Sequence, residues 1–437
     1  MMREAAHLTA KTEGNGAAAD YLAEAAMALW GAGFERGAWT AATLGLGYIG
    51  ERRDLTWVRL MLNDVVRREA EDPSNPGVVL DTPERRAMDE ITHRLPLPSS
   101  EEIFLAIHGF RAGKSRKDIL HRLSDPFWLM CGAGEYRRCL QLWDELIRQR
   151  EREGRIVGAI GSAAQLARCH NALGAFADSQ TAYDRGAALA ARLTGPLVQT
   201  MALPAATYVQ IVLAGARYEM QIAADEGWED YLREAVTLFG QQPSSETHSM
   251  FAGAWAMGAR ISARLGKADE ALLLLGALLA PLERAPAWAL NYPLLACNAA
   301  NTLWLLQRTD HIETIEQNLR EKVLAPDFRC PMEDARLSVA HLSALQGRYD
   351  EAREWFGTAR SVLDGQGARP LRAIVDYDEA LMYARRGAPG DPERARPLLD
   401  AALGQFRTLG MPGWIRRAEA LLKSWAAGGQ DSGGALR

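Results

Sequence analysis

The sequence predicts an all-α protein in which helical hairpins stack into a right-handed superhelix. Helix-forming residues, mainly Ala, Leu, Arg and Glu, dominate from Ala18 to about Ala426, whereas Val, Ile and Thr are sparse. Segments such as 231–239 and 269–283 place apolar residues three and four positions apart, which is typical of amphipathic helices. Clusters of Gly and Pro separate these segments into pairs, so hairpins are expected.

A repeated pattern of small and large residues predicts the kind of hairpin. It places Gly first, a ring or apolar residue two positions on, a small residue five on, a large residue nine on, and a small or apolar residue twelve on. Five copies of it begin at Gly134, Gly174, Gly266, Gly347 and Gly390. Gly is expected to end the first helix in a left-handed conformation, and the small residue lets the second helix approach. These features are typical of a tetratricopeptide-like solenoid.

The spacing of the glycines predicts units of about 40 residues, longer than the roughly 34 of the standard tetratricopeptide repeat. The two widest gaps predict degenerate hairpins near residues 195–245 and 290–325. The predicted organisation is a flexible N-terminus (1–17), N-terminal hairpins (18–95), a linker (96–100), the solenoid (101–426) and a disordered tail (427–437). A helical bundle without regular repeats is the alternative fold.

Composition and charge limit the function classes that fit this chain. With a formal net charge of -5 and no strongly basic block, it lacks the electrostatic footprint for binding nucleic acid or an anionic membrane. The five cysteines are odd in number and have no Cys-x-x-Cys spacing, so neither a disulfide framework nor a zinc site is predicted. No secretory signal or membrane-spanning segment is recognised, and the expected location is the cytoplasm.

Four stretches resemble the C-terminal helical regions of large bacterial signalling ATPases, which occur fused to adenylate cyclase or LuxR-type DNA-binding domains. These stretches are residues 52–86, 124–155, 164–193 and 395–422. The resemblance implies a sensor or interaction region that acts in signalling or transcriptional regulation. The cyclase and nucleotide-binding domains of those proteins would lie upstream of the matching region, so their catalytic activity is not expected here.

The phase of the repeat predicts a binding surface on the first helix of each hairpin. In tetratricopeptide-like hairpins these helices line the concave face, and the positions six and two to three residues before Gly face the groove. The residues at these positions are Trp128, Arg168, Asn171, Arg260, Arg264 and His341. Three arginines suit a partner with a carboxylate or phosphate, because a guanidinium binds such anions through two hydrogen bonds. Ordinary solvated charge on a helical surface is the alternative interpretation.

Motifs for catalysis and cofactor binding are weaker. Residues 113–115 (Gly-Lys-Ser) resemble the end of a phosphate-binding loop, but His108 stands where that loop needs its first Gly. An interhelical turn is therefore predicted there. The adjacent Cys169 and His170 are interpreted as core residues, because a nucleophile and its base would also need an orienting partner. No cofactor and no metal site is predicted.

The expected function is a non-catalytic binding module that recognises a protein segment, a peptide or a small effector, including an acidic one, in its concave face. The alternative is an enzyme whose active site lies in a pocket enclosed by the helices, with Cys169, His170 or Glu135 as candidates. A third alternative is an oligomerisation domain with an apolar patch around Trp414 and Trp425.

Overall fold

The computed structural model of the protein describes residues 2–31, 35–49, 132–152, 156–192, 203–231, 233, 249–284, 292–325 and 327–428. Within these ranges the regular elements are helices, and the one strand-type pairing is an isolated bridge between Cys330 and Glu333. The predicted all-α class is confirmed. In the same ranges, no helix combines the length and the apolar character needed to cross a membrane.

The helices are numbered in chain order. They are α1 (Met2–Glu13), α2 (Asn15–Gly31), α3 (Glu35–Ile49), α4 (Tyr136–Arg152), α5 (Ile156–Leu173), α6 (Phe176–Ala191), α7 (Leu203–Ala224), α8 (Ser249–Arg264), α9 (Ala268–Arg284), α10 (Tyr292–Leu306), α11 (Ile312–Asn318), α12 (Ala335–Leu345), α13 (Tyr349–Gln366), α14 (Arg369–Arg386), α15 (Asp391–Leu409) and α16 (Pro412–Gly428). A π-helical turn, Leu319–Leu324, continues α11. Neighbouring helices pack as hairpins, namely α5 with α6, α8 with α9, α12 with α13 and α14 with α15.

The turns of these four hairpins, and the turn before α4, contain the left-handed glycines that the repeat pattern predicts. Their φ angles lie between +74° and +82° at Gly134, Gly174, Gly266, Gly347 and Gly390. In the turn at Gly266, the amide of Lys267 donates to the carbonyl oxygen of Ser262 (2.8 Å), which satisfies a carbonyl group at the end of α8. Any side chain is strained at this φ, which explains why Gly recurs here.

Two further hairpin turns lack this glycine, and they fall inside the two segments where degenerate hairpins were predicted. After α7 come Asp225 (φ +50°) and Gly227 (φ +69°), and residues 228–231 begin the next helix. After α10 come Gln307 (φ +54°) and His311 (φ +58°). Asp225 and Gln307 take the left-handed conformation that Gly takes elsewhere, so a search for Gly alone does not find these turns.

In four of the five copies, the second helix buries both the small and the large residue of the repeat; in the copy at Gly174, Ser179 is buried and Tyr183 is half-buried. The small residues Ala271, Ala352 and Ala395 are fully buried, and so are the large residues Leu275 and Phe356. A methyl-sized side chain lets two helices approach closely, and the large residue one turn later fills the space between them. The pattern read from the sequence is therefore the packing pattern of the core.

The N-terminus differs from the flexible segment predicted over residues 1–17. Residues Met2–Glu13 form α1, which packs on α2 and buries Ala6. Glu4 in its first turn and Lys11 in its last turn complement the helix dipole, which favours a helix in this polar segment.

Other predicted boundaries lie outside the described residues. Residues 50–131 contain the linker at 96–100 and much of the N-terminal hairpin segment, of which α2 and α3 are described. At the C-terminus, α16 reaches Gly428, and the rest of the predicted tail lies beyond the described part of the chain.

Hairpins that are far apart in the sequence touch at their turns. Three hydrogen bonds make these contacts: Arg329 N to Gly132 O (2.8 Å), Arg369 Nε to Leu173 O (3.4 Å) and Trp414 Nε1 to Ile222 O (2.8 Å). The late hairpins thus close against the turns of the early ones. This closure encloses one side of the hairpins, which we call the inner face. The inner face is formed by α5, α7, α8, α10, α12 and α14, and three of these helices carry the predicted binding residues.

Candidate functional site

The predicted binding residues lie on three helices of the inner face. They are Arg168 and Asn171 on α5, Arg260 and Arg264 on α8, and His341 on α12. Asn171 and His341 are buried, and the three arginine side chains are only 10% to 17% exposed. The repeat geometry predicts groove-facing positions, whereas closure by the late hairpins covers most of their surface. Trp128 lies outside the described residues.

Each of the three arginines forms an ion pair with a buried carboxylate. Arg168 donates through Nε (2.9 Å) and Nη2 (2.5 Å) to Oε1 of Glu219 on α7. Arg260 donates through Nη1 to Oε1 of Glu333, which directly precedes the N-cap of α12. The carboxylate side chains are 1% and 3% exposed. Buried pairs of this kind are retained only where both charges have partners, because each ion loses its hydration.

The third pair centres on Asp225, the left-handed residue that follows α7. Arg264 donates to Oδ1 through Nε (2.8 Å), and Trp228 donates to the same oxygen (3.2 Å). Arg417 of α16 donates through Nε to Oδ2. The indole of Trp414 lies 5.0 Å below the Arg264 guanidinium, within the range of a cation–π contact. Asp225 therefore joins α7, α8 and the C-terminal helix at one point.

Trp414 belongs to the apolar patch that the sequence offers as a surface for oligomerisation. It is 3% exposed, and its indole nitrogen donates to the main chain of Ile222. This tryptophan is therefore part of the internal closure, which does not favour that alternative.

His341 occupies the centre of the inner face. Its ring stacks on Trp304, with 4.6 Å between ring centroids and 3° between planes. Nδ1 lies 3.1 Å from Oδ1 of Asn301, and Nε2 lies 3.0 Å from Oδ2 of Asp378. The guanidinium of Arg385 lies 4.1 Å from the centroid of the Trp304 ring, so this indole lies between an imidazole and a cation.

Helix α12 begins where it does because Asp334 caps it. The carboxylate of Asp334 accepts hydrogen bonds from the amides of Arg336 (2.8 Å) and Leu337 (3.4 Å). All residues of Ala335–Leu345 except the last are buried. The cap thus fixes a central, enclosed helix, and it holds Glu333 at one end of that helix and His341 in its middle.

Burial changes the proton affinity of these groups. Burial raises the pKa of Glu333 to about 7; the Arg260 guanidinium opposes this effect, and the Glu219 carboxylate adds to it. Burial also raises the pKa of Glu219, although its ion pair opposes the change. For His341, burial lowers the pKa. Glu333 therefore titrates near neutral pH.

The contribution of Glu333 to the free energy of unfolding is expected to fall as the pH rises from about 4.5 to about 7. Glu333 has an ordinary pKa of 4.5 when unfolded and a pKa of about 7 when folded, so the folded state binds more protons in this window. This group contributes a slope of at most about 1.4 kcal/mol per pH unit, and the loss is complete above the folded pKa. Urea unfolding across this range would measure it. Glu333→Gln should lack this component, and parallel curves for the two proteins would contradict the assignment.

A small cavity opens among these charges. Its volume is about 30 Å³. The polar and aromatic residues that line it are Arg260, Arg264, Asn301, Glu333, Asp378, Trp304 and Trp414. Pockets that hold a whole metabolite measure roughly 300–1,000 Å³. The cavity is therefore sized for an end group such as a carboxylate, or for one or two ordered waters.

Two buried polar side chains near this cluster have unsatisfied atoms. Asn171 is 0% exposed, and neither its Nδ2 nor its Oδ1 has a hydrogen-bond partner in the described structure. The same is true of Oε2 of Glu219. A buried polar group without a partner costs about 1–3 kcal/mol, so a ligand group or a water that bonds to these atoms would be stabilised. They extend the candidate site toward α5 and α7.

The residues considered for covalent catalysis are not brought together. Cys169 is fully buried in the core, whereas the neighbouring His170 is partly buried and its Nδ1 has no hydrogen-bond partner. Adjacent residues of a helix do not face each other, so these two cannot form a nucleophile–base pair. Glu135 lies in the turn before α4. In the described ranges, no group of three or more His, Cys, Asp or Glu side chains could hold a metal ion.

The sequence reasoning missed the carboxylates that partner the predicted arginines. One of them had a usable signal: Glu219 lies six residues before Asp225, just as Arg168 lies six residues before Gly174. Asn301 has the same relation to Gln307. Recognising Asp and Gln as left-handed turn residues would have placed both side chains on the inner face.

The fold and the site define an all-α protein of packed hairpins with buried arginine–carboxylate pairs along one face. A scan of the sequence against protein-family models gives no match, and a search among curated proteins gives none either. The geometry and charge of the inner face are therefore the observations that bear on the function of this protein.

Proposed function

We propose that this protein is a tetratricopeptide-like binding module, a right-handed superhelix of hairpins that acts in the cytoplasm of a bacterium in signalling or transcriptional regulation. Its ligand is a protein segment, a peptide or a small effector that presents an acidic group to the inner face. The left-handed hairpin turns and the buried small and large residues support the repeat assignment. Stacked hairpins of this kind create extended binding surfaces along one side.

The charge balance of the inner face is the observation that carries this proposal. Its cations are Arg168, Arg260, Arg264 and Arg385, to which α16 adds Arg417 through Asp225, and its carboxylates are Glu219, Asp225, Glu333 and Asp378. Asp225 serves two arginines, and Arg385 donates to the main-chain oxygen of Trp304 (3.0 Å). A surplus positive charge that is partly removed from water attracts an anion strongly.

Replacing Arg385 with Gln tests this surplus charge. In the described structure Arg385 has no carboxylate partner within ion-pair distance, and Asp378 would keep its hydrogen bond to His341. We expect affinity for the acidic ligand to fall about tenfold, which corresponds to about 1.4 kcal/mol. The ligand is identified by native mass spectrometry of protein isolated from its host. Where none is retained, peptides with free and amidated C-termini serve as probes, and calorimetry gives the affinities.

Arg308→Gln provides the matched control, because Arg308 is an exposed arginine paired with Asp310 at a turn. Its substitution should leave the affinity unchanged. Equal affinities for all three proteins, or equal binding of the free and amidated peptides, would contradict the proposal.

A second candidate is an enzyme with its active site in the same cavity. It is favoured by Glu333, whose pKa of about 7 is in the range of a general acid or base and which lines the cavity. The cavity volume of about 30 Å³ argues for the binding module, since a substrate would need the hairpins to move apart. Turnover of the retained ligand by wild type but not by Glu333→Gln would favour the enzyme.

A further inference from the structure

Four buried side chains form a continuous hydrogen-bonded chain beside the cavity. Nδ2 of Asn301 lies 2.9 Å from Oε2 of Glu333, and Oδ1 of Asn301 lies 3.1 Å from Nδ1 of His341. Nε2 of His341 then lies 3.0 Å from Oδ2 of Asp378. All four residues are 6% exposed or less. Each contact therefore needs one donor and one acceptor, because water does not compete for these atoms.

The direction of these bonds determines how many protons the chain must hold. With the amide as placed, Asn301 donates to an ionised Glu333, and its oxygen needs a proton on Nδ1 of His341. Nε2 must also carry a proton to donate to an ionised Asp378. Both ring nitrogens are then protonated, unless Asp378 itself holds the proton and donates it to Nε2.

Rotating the amide by half a turn gives the other arrangement. The oxygen of Asn301 now faces Glu333, so Glu333 must be a neutral acid that donates through Oε2. The amide nitrogen donates to Nδ1 of a neutral His341, which donates through Nε2 to an ionised Asp378. The two arrangements have the same total charge. They differ by one proton, which leaves the nitrogen of His341 and forms the O–H bond of Glu333.

Both arrangements need one proton more than a state with ionised carboxylates and a neutral histidine. Without that proton, at least one contact in the chain sets two acceptors against each other. We propose that Glu333, Asn301, His341 and Asp378 form a single proton-binding unit, which holds one exchangeable proton at neutral pH.

Charged and titratable groups reach this unit from every helix packed around it. They are Tyr218 and Glu219 of α7, Arg260 of α8, Cys297 of α10, Cys330 and Asp334 beside Glu333, and Arg385 of α14, while α13 contributes the apolar ring of Phe356. Burial and Glu219 favour the neutral form of Glu333, whereas Arg260 favours its ionised form. Burial also disfavours the imidazolium form of His341. These effects together favour the arrangement in which Glu333 holds the proton and His341 is neutral.

The unit would couple pH to binding, a consequence that rests on the proposed function. Glu333 and Asp378 line the cavity, so loss of the proton adds one negative charge to its wall. An acidic ligand then binds more weakly above neutral pH than below it. The proton itself can be detected without any ligand, so failure of the test below leaves the Arg385 experiment unaffected.

Nuclear magnetic resonance of the full chain tests the proposal directly. Selective labelling with ¹⁵N-histidine and with ¹³C-carboxyl glutamate and aspartate reports the states of His341, Glu333 and Asp378, and His341 is assigned through its contacts with Trp304. At about pH 6.5 ordinary carboxyl groups are ionised. We expect a neutral His341 with its proton on Nε2 and a protonated Glu333. An imidazolium with ionised Glu333 would also show the bound proton, whereas a neutral His341 beside an ionised Glu333 and Asp378 would overturn the proposal.

Glu333→Gln gives a second, independent readout. The glutamine amide donates to Asn301 as the neutral acid would, so His341 should remain neutral at every pH at which the protein is folded. Glu316→Gln is the matched control, since Glu316 is a buried glutamate paired with Arg320 and Arg348 away from the unit. In wild type, loss of the Glu333 proton near pH 7 should shift the ring resonances of His341, and Glu333→Gln should abolish this shift. A shift that persists unchanged in Glu333→Gln would overturn the proposal, and the wild-type spectra decide the question if this variant does not fold.

Discussion

Replacing Asp225 with Asn is expected to lower the free energy of unfolding by about 3–5 kcal/mol. The Asp225 carboxylate is 1% exposed and accepts hydrogen bonds from Arg264, Arg417 and Trp228. Asn has the same size and tolerates the left-handed φ of +50° at this position. The substitution therefore keeps the size and the backbone conformation, but it removes the charge and replaces one acceptor oxygen by an NH2 donor. It leaves two partly buried guanidinium groups without an anion.

The matched control is Asp310→Asn. Asp310 accepts from Arg308 (2.8 Å), but both side chains are at least 36% exposed. An exposed pair contributes about 0–1 kcal/mol, because water solvates the separated charges almost as well. Urea unfolding followed by tryptophan fluorescence would compare the two variants. Equal, small losses would show that Asp225 is not the point on which the closure depends.

Asp225 also explains how a repeat position became a structural junction. At five other described hairpin turns Gly takes this conformation, and Gly has no side chain to contribute. Asp at this position keeps the left-handed turn and adds a carboxylate that reaches α8 and α16. The break in the repeat pattern is thus the place where distant hairpins are joined.

The sequence predicted those parts of the fold that local patterns control. Glycines that must adopt positive φ, and alanines that must be buried against a neighbouring helix, recur at fixed intervals, and both occur where predicted. The positions that face the groove follow from their spacing before each Gly, so Arg260, Arg264 and His341 are predicted together. The structure brings Arg260 within electrostatic range of both Arg264 and His341.

The partners of these residues depend on how the hairpins wind, and no local pattern encodes that. Arg168 pairs with a residue 51 positions away, and Arg260 with one 73 positions away. The angle between successive hairpins determines which carboxylate meets which arginine. Because the sequence does not give this angle, it predicts a surface that is open to a ligand. The internal carboxylates mean that an acidic ligand must compete with them or use the surplus cations.

Gly413→Ala is the second substitution with a large expected effect. A Cβ atom at this position would lie 2.3 Å from the main-chain oxygen of Asp225 and 2.6 Å from that of Ala224, and a backbone carbonyl cannot rotate away as a flexible side chain can. Helix α16 must therefore shift. Trp414 would lose its hydrogen bond to Ile222 (2.8 Å), and we expect a loss of about 3 kcal/mol or more, the upper range for overpacking.

Gly404→Ala on the neighbouring helix α15 separates this clash from the general effect of changing a glycine. No atom lies within 4 Å of a Cβ built at Gly404, and Ala in a helix is favoured over Gly by about 0.5–1 kcal/mol. This control should therefore be neutral or stabilising by urea unfolding. Hydrogen exchange should show faster exchange in α16 and at the Asp225 turn of the Gly413 variant alone, because these segments are held together by the contact that the methyl group displaces. If the two variants have the same stability and exchange rates, the close approach of α16 to the Asp225 turn does not occur in solution.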